Sequence, residues 1–130
     1  MIYQTIIMPG ITRVKKNSRR LFARGKYITN LPSKAYEEWA ENVKKNILIG
    51  KLSEPLKFPV FAHFLIVRPD KRKFDLSNMI EGAQDLMQAA LIIPDDDYKT
   101  LIPVFHSGYS GVEIDKQSPR LVITLTDESF

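Results

Sequence analysis

Two groups of carboxylates stand out in this chain. Asp75 lies just after the basic run Lys71-Arg72-Lys73, and Asp95-Asp96-Asp97 forms an uninterrupted acidic triplet after Pro94. Phosphodiester hydrolysis needs hard oxygen ligands. Mg2+ takes one or two carboxylates, keeps several waters and completes its shell from the phosphate. An Asp before a helix is most often a cap, and three acids after a proline most often form a solvated turn. Three adjacent carboxylates nevertheless repel one another, and a cation relieves that repulsion. Cations beside the acids suit a site that handles phosphate, whereas a structural turn has no use for them. Glu81 and Asp85 read most simply as the wet face of a helix. His63 and His106 lack the spacing of a ligand pair and read as strand residues.

Other chemistries lack support. The six glycines are dispersed, so no phosphate-cradling loop exists and no nucleotide cofactor is expected. Gly108-Tyr-Ser-Gly111 lacks the spacing of a nucleophile elbow. With no cysteine, disulfides and thiolate-held metals are excluded.

Charge is unevenly distributed. Residues 1–36 contain eight of the 19 basic residues (Arg13, Lys15, Lys16, Arg19, Arg20, Arg24, Lys26, Lys34) and none of the 15 acidic ones. The pattern predicts a basic arm over residues 11–31 that meets a polyanion, and a body whose acids serve another purpose. Net charge is +4 and the pI about 9.3.

These groups need elements to position them. At 130 residues and 44% hydrophobic content, one domain spanning 1–130 is expected. Tyr3 to Met8 reads as a strand closed by Pro9-Gly10, and residues 11–31 as a long loop with a loose hairpin. From Ser33 to Ile49, apolar Tyr36, Trp39, Ala40, Val43 and Ile47 recur at helical spacing. Phe58 to Val67 is an almost unbroken apolar run, as in a central strand. A second helix is expected from Ser77 to Leu91, capped by Ser77 or Asn78. Its buried stripe is Met79, Ile80, Ala83, Leu86, Met87, Ala90 and Leu91, and Asn78, Glu81, Asp85 and Gln88 lie opposite. Tyr98 to His106 reads as an edge or bulged strand because of Pro103. Residues 107–119 read as a loop and Leu121 to Thr126 as the last strand. The expected fold is α+β, a small mixed β-sheet with two packed helices in the order β-α-β-α-β-β. If the second helix packs back on the sheet, Asp75 and the acidic triplet could lie near one end of it. No stretch reaches the length of a membrane helix, and the N-terminus does not resemble a signal peptide.

The segment Pro69-Asp-Lys-Arg-Lys-Phe-Asp75-Leu-Ser-Asn78 resembles the RusA family of Holliday-junction endonucleases, small proteins common in phages and prophages. That family has a Pro, a basic run and Asp-Leu-Asp-Asn, then a helix and an acidic pair before a strand, as at Asp95-Asp96. Asp75 and Asp96 are 21 residues apart, which is the family's spacing. The resemblance is strong over residues 68–106 and looser elsewhere. It implies a Mg2+-dependent homodimeric endonuclease, with Mn2+ as an alternative metal, acting on branched DNA in recombination and repair. The location implied is cytoplasmic, the host cytoplasm if a phage encodes the protein. Asp75 and Asp96 match catalytic acids. Ser77 stands where better-known members have a middle catalytic Asp, and Glu81 where they have a functional Lys. Glu81 is the first choice for the third ligand, with Asp95 or Asp97 as the alternatives. Lys71, Arg72, Lys73 and Asn78 are expected to contact DNA beside the acids, and Arg13, Lys15, Lys16, Arg19 and Arg20 to grip a second arm. The competing expectation is a non-catalytic DNA- or RNA-binding module.

Overall fold

A computed structural model describes residues 2–13, 20–24, 27–31, 34–74, 76–90, 92–94, 98–104 and 111–127. Its strands are β1 (Ile2–Pro9), β2 (Arg20–Arg24), β3 (Tyr27–Leu31), β4 (Leu48–Ile49), β5 (Val60–Arg68), β6 (Leu101–Val104), β7 (Gly111–Ile114) and β8 (Arg120–Thr126). The helices are α1 (Lys34–Asn46) and α2 (Leu76–Ala89). β2 and β3 form a separate antiparallel hairpin inside the predicted basic loop. The remaining strands form one mixed sheet in the order β4-β1-β8-β5-β6, and β7 also pairs with β5. The fold is therefore α+β, as expected.

β8 sits at the centre because its inward residues, Leu121, Ile123 and Leu125, are fully apolar and almost wholly buried. It pairs antiparallel with β1 on one side and β5 on the other, which makes β1 and β5 parallel. β5 then meets β6 in parallel through Val60–His63 and β7 in parallel through Leu65–Arg68. Parallel neighbours need a crossover between them, and α2 supplies the one from β5 to β6. Ala62, Phe64 and Ile66 of β5 join Ile6 and Met8 of β1 in a single core with the buried faces of α1 and α2. His63 faces the other way and is completely buried, its Nε2 sharing a 3.0 Å hydrogen bond with Thr126 Oγ1. It belongs to the sheet interior, as the sequence suggests.

Three boundaries differ from expectation, each for a tertiary reason. The first helix ends at Asn46, not Ile49. Leu48 and Ile49 pair with Ile7 and Ile6 of β1, Gly50 N–H donates to Thr5 O at 2.9 Å, and Gln4 Nε2 donates to Gly50 O at 2.6 Å. Satisfying the edge of β1 outweighs another helical turn. The loop expected over residues 107–119 contains β7, hidden because every one of its residues is exposed and no alternation marks it. The strand expected over Tyr98–His106 shortens to β6, with Tyr98–Thr100 in a turn, and residues 105 and 106 fall outside the described residues. Pro103 is tolerated in β6 because, among the described residues, that strand pairs with β5 alone and sits at the sheet edge.

α1 and α2 touch where Tyr36 meets Gly82. The Tyr36 hydroxyl donates to Gly82 O at 3.0 Å, and Tyr36 is 6% exposed. Burial, with the charge of Asp85 adding to it, raises the Tyr36 pKa well above its usual value. The folded state therefore holds this proton more tightly than the unfolded chain does. The stability tied to it is complete below about pH 10 and is lost as pH rises through the folded pKa. Chemical denaturation of a Tyr36→Phe variant should show a loss of about 1 kcal/mol at neutral pH from the missing hydrogen bond. Above pH 10 the variant should decline less steeply than the parent, the difference approaching about 1.4 kcal/mol per pH unit.

Candidate functional site

The end of the sheet where β5 finishes is built around Arg68. Beyond it the chain turns at Pro69-Asp70, where Asp70 Oδ1 accepts the Arg72 backbone N–H at 2.9 Å and Oδ2 lies 3.6 Å from Arg72 Nε. This turn holds Lys71, Arg72 and Lys73 out in solvent, all three exposed. Phe74 then turns inward against the core, with the Arg68 guanidinium 5.0 Å from its ring centre. α2 starts at Leu76, one residue earlier than expected, so Ser77 and Asn78 lie inside its first turn and do not precede it as caps.

The same end receives the exit of β1. Gly10, at φ +93°, turns the chain, and its N–H donates to Pro119 O at 3.1 Å. Two residues on, Thr12 O accepts from Arg68 Nη1 at 3.0 Å. Arg13 is exposed and, with Arg72, lies close enough to act on the charge of Arg68. Sequence reading assigns Arg13 and the Lys71–Lys73 run to separate DNA arms. The structure brings Arg13 and Arg72 together around one strand end.

Asn78 and Glu81 are half-buried on α2 and both are engaged in further contacts. Glu81 lies five residues from the helix start, a rise of roughly 7–8 Å. Asp85 follows one turn later, also half-buried. Gln88 is exposed, as its place on the polar side predicts, but so is Ala90, which was expected in the buried stripe. The helix ends at Ala89, and the apolar contacts beyond it pass to Ile92 and Ile93.

Asp75, Asp95, Asp96, Asp97, Lys15, Lys16, Arg19, Lys26 and His106 lie outside the described residues, as does Leu91. Arg20 opens β2, opposite Leu31. Among the described residues no three His, Cys, Asp or Glu side chains converge to hold a metal.

The neighbours of the acidic positions are informative. Phe74 lies at the Arg68 end of β5, and Leu76 opens α2. On the other flank, Tyr98 leads to Thr100, whose carbonyl accepts the Val60 N–H at 2.9 Å. Val60 is the first residue of β5 and Arg68 the last. Nine strand residues span roughly 26 Å and the 14 residues of α2 roughly 20 Å. Within one chain the flanks of the two acidic positions therefore lie at opposite ends of the βαβ unit. A parallel crossover reverses the chain through its helix; the expectation that Asp75 and the acidic triplet lie near one end falls on positions outside the described residues.

The sequence gives little sign that Arg68 is a buried charge at this strand end. Its only signal is a charge closing an apolar strand. No protein-family model matches this chain, and no curated protein matches it. No described helix is long and apolar enough to cross a membrane.

Proposed function

We propose that the protein is a metal-dependent endonuclease acting on branched DNA, and that it works as a homodimer. The observation that carries this reading is the basic strand end. Arg13 and Arg72 gather around the end of β5, Lys71 and Lys73 flank Arg72, and the chain runs from there directly into position 75 and α2. Contacts from such residues to phosphates are independent of sequence and fit recognition of DNA shape.

The chemistry of the donor set suits Mg2+: Asp75, Glu81 and Asp96 all offer hard carboxylate oxygens. Asp95 and Asp97 are the alternatives to Glu81. When bound, the ion would activate water for in-line attack at phosphorus and stabilise the leaving oxygen. Lys71, Arg72, Lys73 and Arg13 hold the flanking phosphates, and Asn78 follows in the first turn of α2. The separation of the acidic flanks supports the dimer. The described flanks Leu76 and Thr100 stand about a helix length apart, which favours carboxylates drawn from two chains over a pair within one. Two copies related by a two-fold axis can bring position 75 of one to position 96 of the other, giving two equal composite sites. Two sites on one symmetric particle suit paired nicks across a four-way junction.

The test is incubation of the protein with a synthetic four-way junction, with and without Mg2+ or Mn2+. Cleavage that needs the metal is expected. Binding without cleavage in every metal would replace this reading with a non-catalytic DNA- or RNA-binding module. A Glu81→Gln variant should lose at least about tenfold in cleavage rate and need more Mg2+. Full activity at unchanged Mg2+ would move the third ligand to Asp95 or Asp97.

A further inference from the structure

Arg68 is a charged residue that is 8% exposed and makes no ion pair among the described residues. Burying a charge without a counter-charge is unfavourable, and arginine cannot escape by losing its proton. Its environment sharpens the anomaly. One guanidinium N–H goes to Thr12 O, but among the described residues Arg68 Nε and the fully buried Thr12 Oγ1 both lack hydrogen-bond partners. Burial pulls the Arg68 pKa below its usual range, Asp70 opposes this, and Arg13 and Arg72 add to it. The two nearby acids among the described residues are already engaged. Asp70 is held by Arg72, and Asp115 accepts from the backbone N–H groups of Gln117 and Ser118 and lies 3.5 Å from Arg120. Among the described residues, three guanidinium groups thus share one strand end with two carboxylates that are already engaged.

We propose that Arg68, with Arg13 and Arg72, forms a phosphate-binding site at the C-terminal end of β5, where Arg68 is the buried anchor that positions a backbone phosphate of the nucleic acid. The identity of the phosphate rests on the DNA-cleaving reading above; the anion site itself does not. Phe74 and Thr12 hold the guanidinium plane in place, so its remaining donors are pre-organised for an oxyanion. α2 begins two residues after Phe74, and its positive N-terminal end favours an anion at the same spot. Arg13 and Arg72 are exposed and lie near Arg68 on two separate segments.

The experiment compares the parent with Arg68→Met and Arg68→Lys. Thermal melting is followed in inorganic phosphate and in chloride at matched ionic strength, and affinity for a synthetic four-way junction is measured without divalent metal. Phosphate should raise the melting temperature of the parent, and this increment should vanish in Arg68→Met. Junction affinity should fall about tenfold in Arg68→Met and less in Arg68→Lys, which keeps the charge but not the fork. In chloride Arg68→Met should melt at or above the parent, since an uncompensated charge has gone. A purely structural arginine predicts the reverse: a lower melting temperature and an unchanged phosphate increment. If Arg68→Met fails to fold, Arg68→Lys carries the test, and parental affinity together with a parental phosphate increment in that variant overturns the proposal. Junction binding equal in the parent and both variants also overturns it, while leaving the nuclease reading intact. A phosphate increment lost in Arg68→Met, in a parent that neither binds nor cleaves the junction, supports the anion site and sinks the DNA reading.

Discussion

Asp75→Asn and Asp96→Asn homodimers should each lose junction cleavage by at least about a hundredfold, because each removes a first ligand where even supporting groups are worth 10–100-fold. Mixing the two inactive proteins should then restore activity. The reason is topological. α2 runs the length of the sheet between the flanks of the two acidic positions, and those described flanks lie at opposite ends of it. In a mixed dimer, one composite site receives both substituted residues and the other receives neither. Random exchange gives mixed dimers in about half of the particles, each with one intact site. Single-strand nicking should therefore recover to about a quarter of the parental level, while paired nicking on one junction should not recover. Sites formed within each chain would leave every site of the mixed dimer with one lesion and no recovery. The measurement is a nicking assay on a labelled junction after subunit exchange, and a flat result removes the composite site. Both substitutions are isosteric, so melting temperatures close to the parent's separate lost chemistry from lost folding.

What the sequence reveals here follows the physics of each segment. β5 and β8 were legible because burial on both faces or alternation leaves a hydrophobic pattern, and α1 because Tyr36, Trp39, Ala40 and Val43 repeat on one face. β4 and β7 were not legible. They are short, exposed edge strands whose existence is decided by the backbone groups of β1 and β5, not by their own side chains. The site divides in the same way. Lys71–Lys73 announce themselves because consecutive charges can only be solvated, and the structure does expose them. Arg68 does not, because a single arginine ending an apolar run looks like the edge of the core. Its meaning comes from Thr12 and Arg13, more than fifty residues away in sequence. The parallel pairing of β5 with β6 was also not legible in the sequence pattern, and it is what puts the two connections of this strand-helix-strand unit at opposite ends.

Gly82→Ala should be the most damaging small substitution in the described fold, although alanine is the better helix former by roughly 1 kcal/mol. Gly82 lies in the middle of α2, and a Cβ built there stands 2.8 Å from Tyr36 Cε2. Such a clash is mild when the neighbour is a free side-chain tip. Tyr36 is not free. It is 6% exposed, its hydroxyl donates to the carbonyl of Gly82 itself, and its ring packs edge-on against Trp39 with centroids 5.9 Å apart. Moving the ring breaks the hydrogen bond and disturbs Trp39; keeping it in place forces α1 and α2 apart. Overpacking of this kind costs about 1–3 kcal/mol beyond the propensity gain. A drop of roughly 5–10 °C in melting temperature is therefore expected for a chain of this size. The cause can be isolated by combination. Tyr36→Leu alone should destabilise by removing the ring, but Gly82→Ala made in that background should add little or become favourable, because the added methyl then meets no aromatic edge. A double-mutant cycle that gives simple additivity would show that the two helices do not meet through this pair.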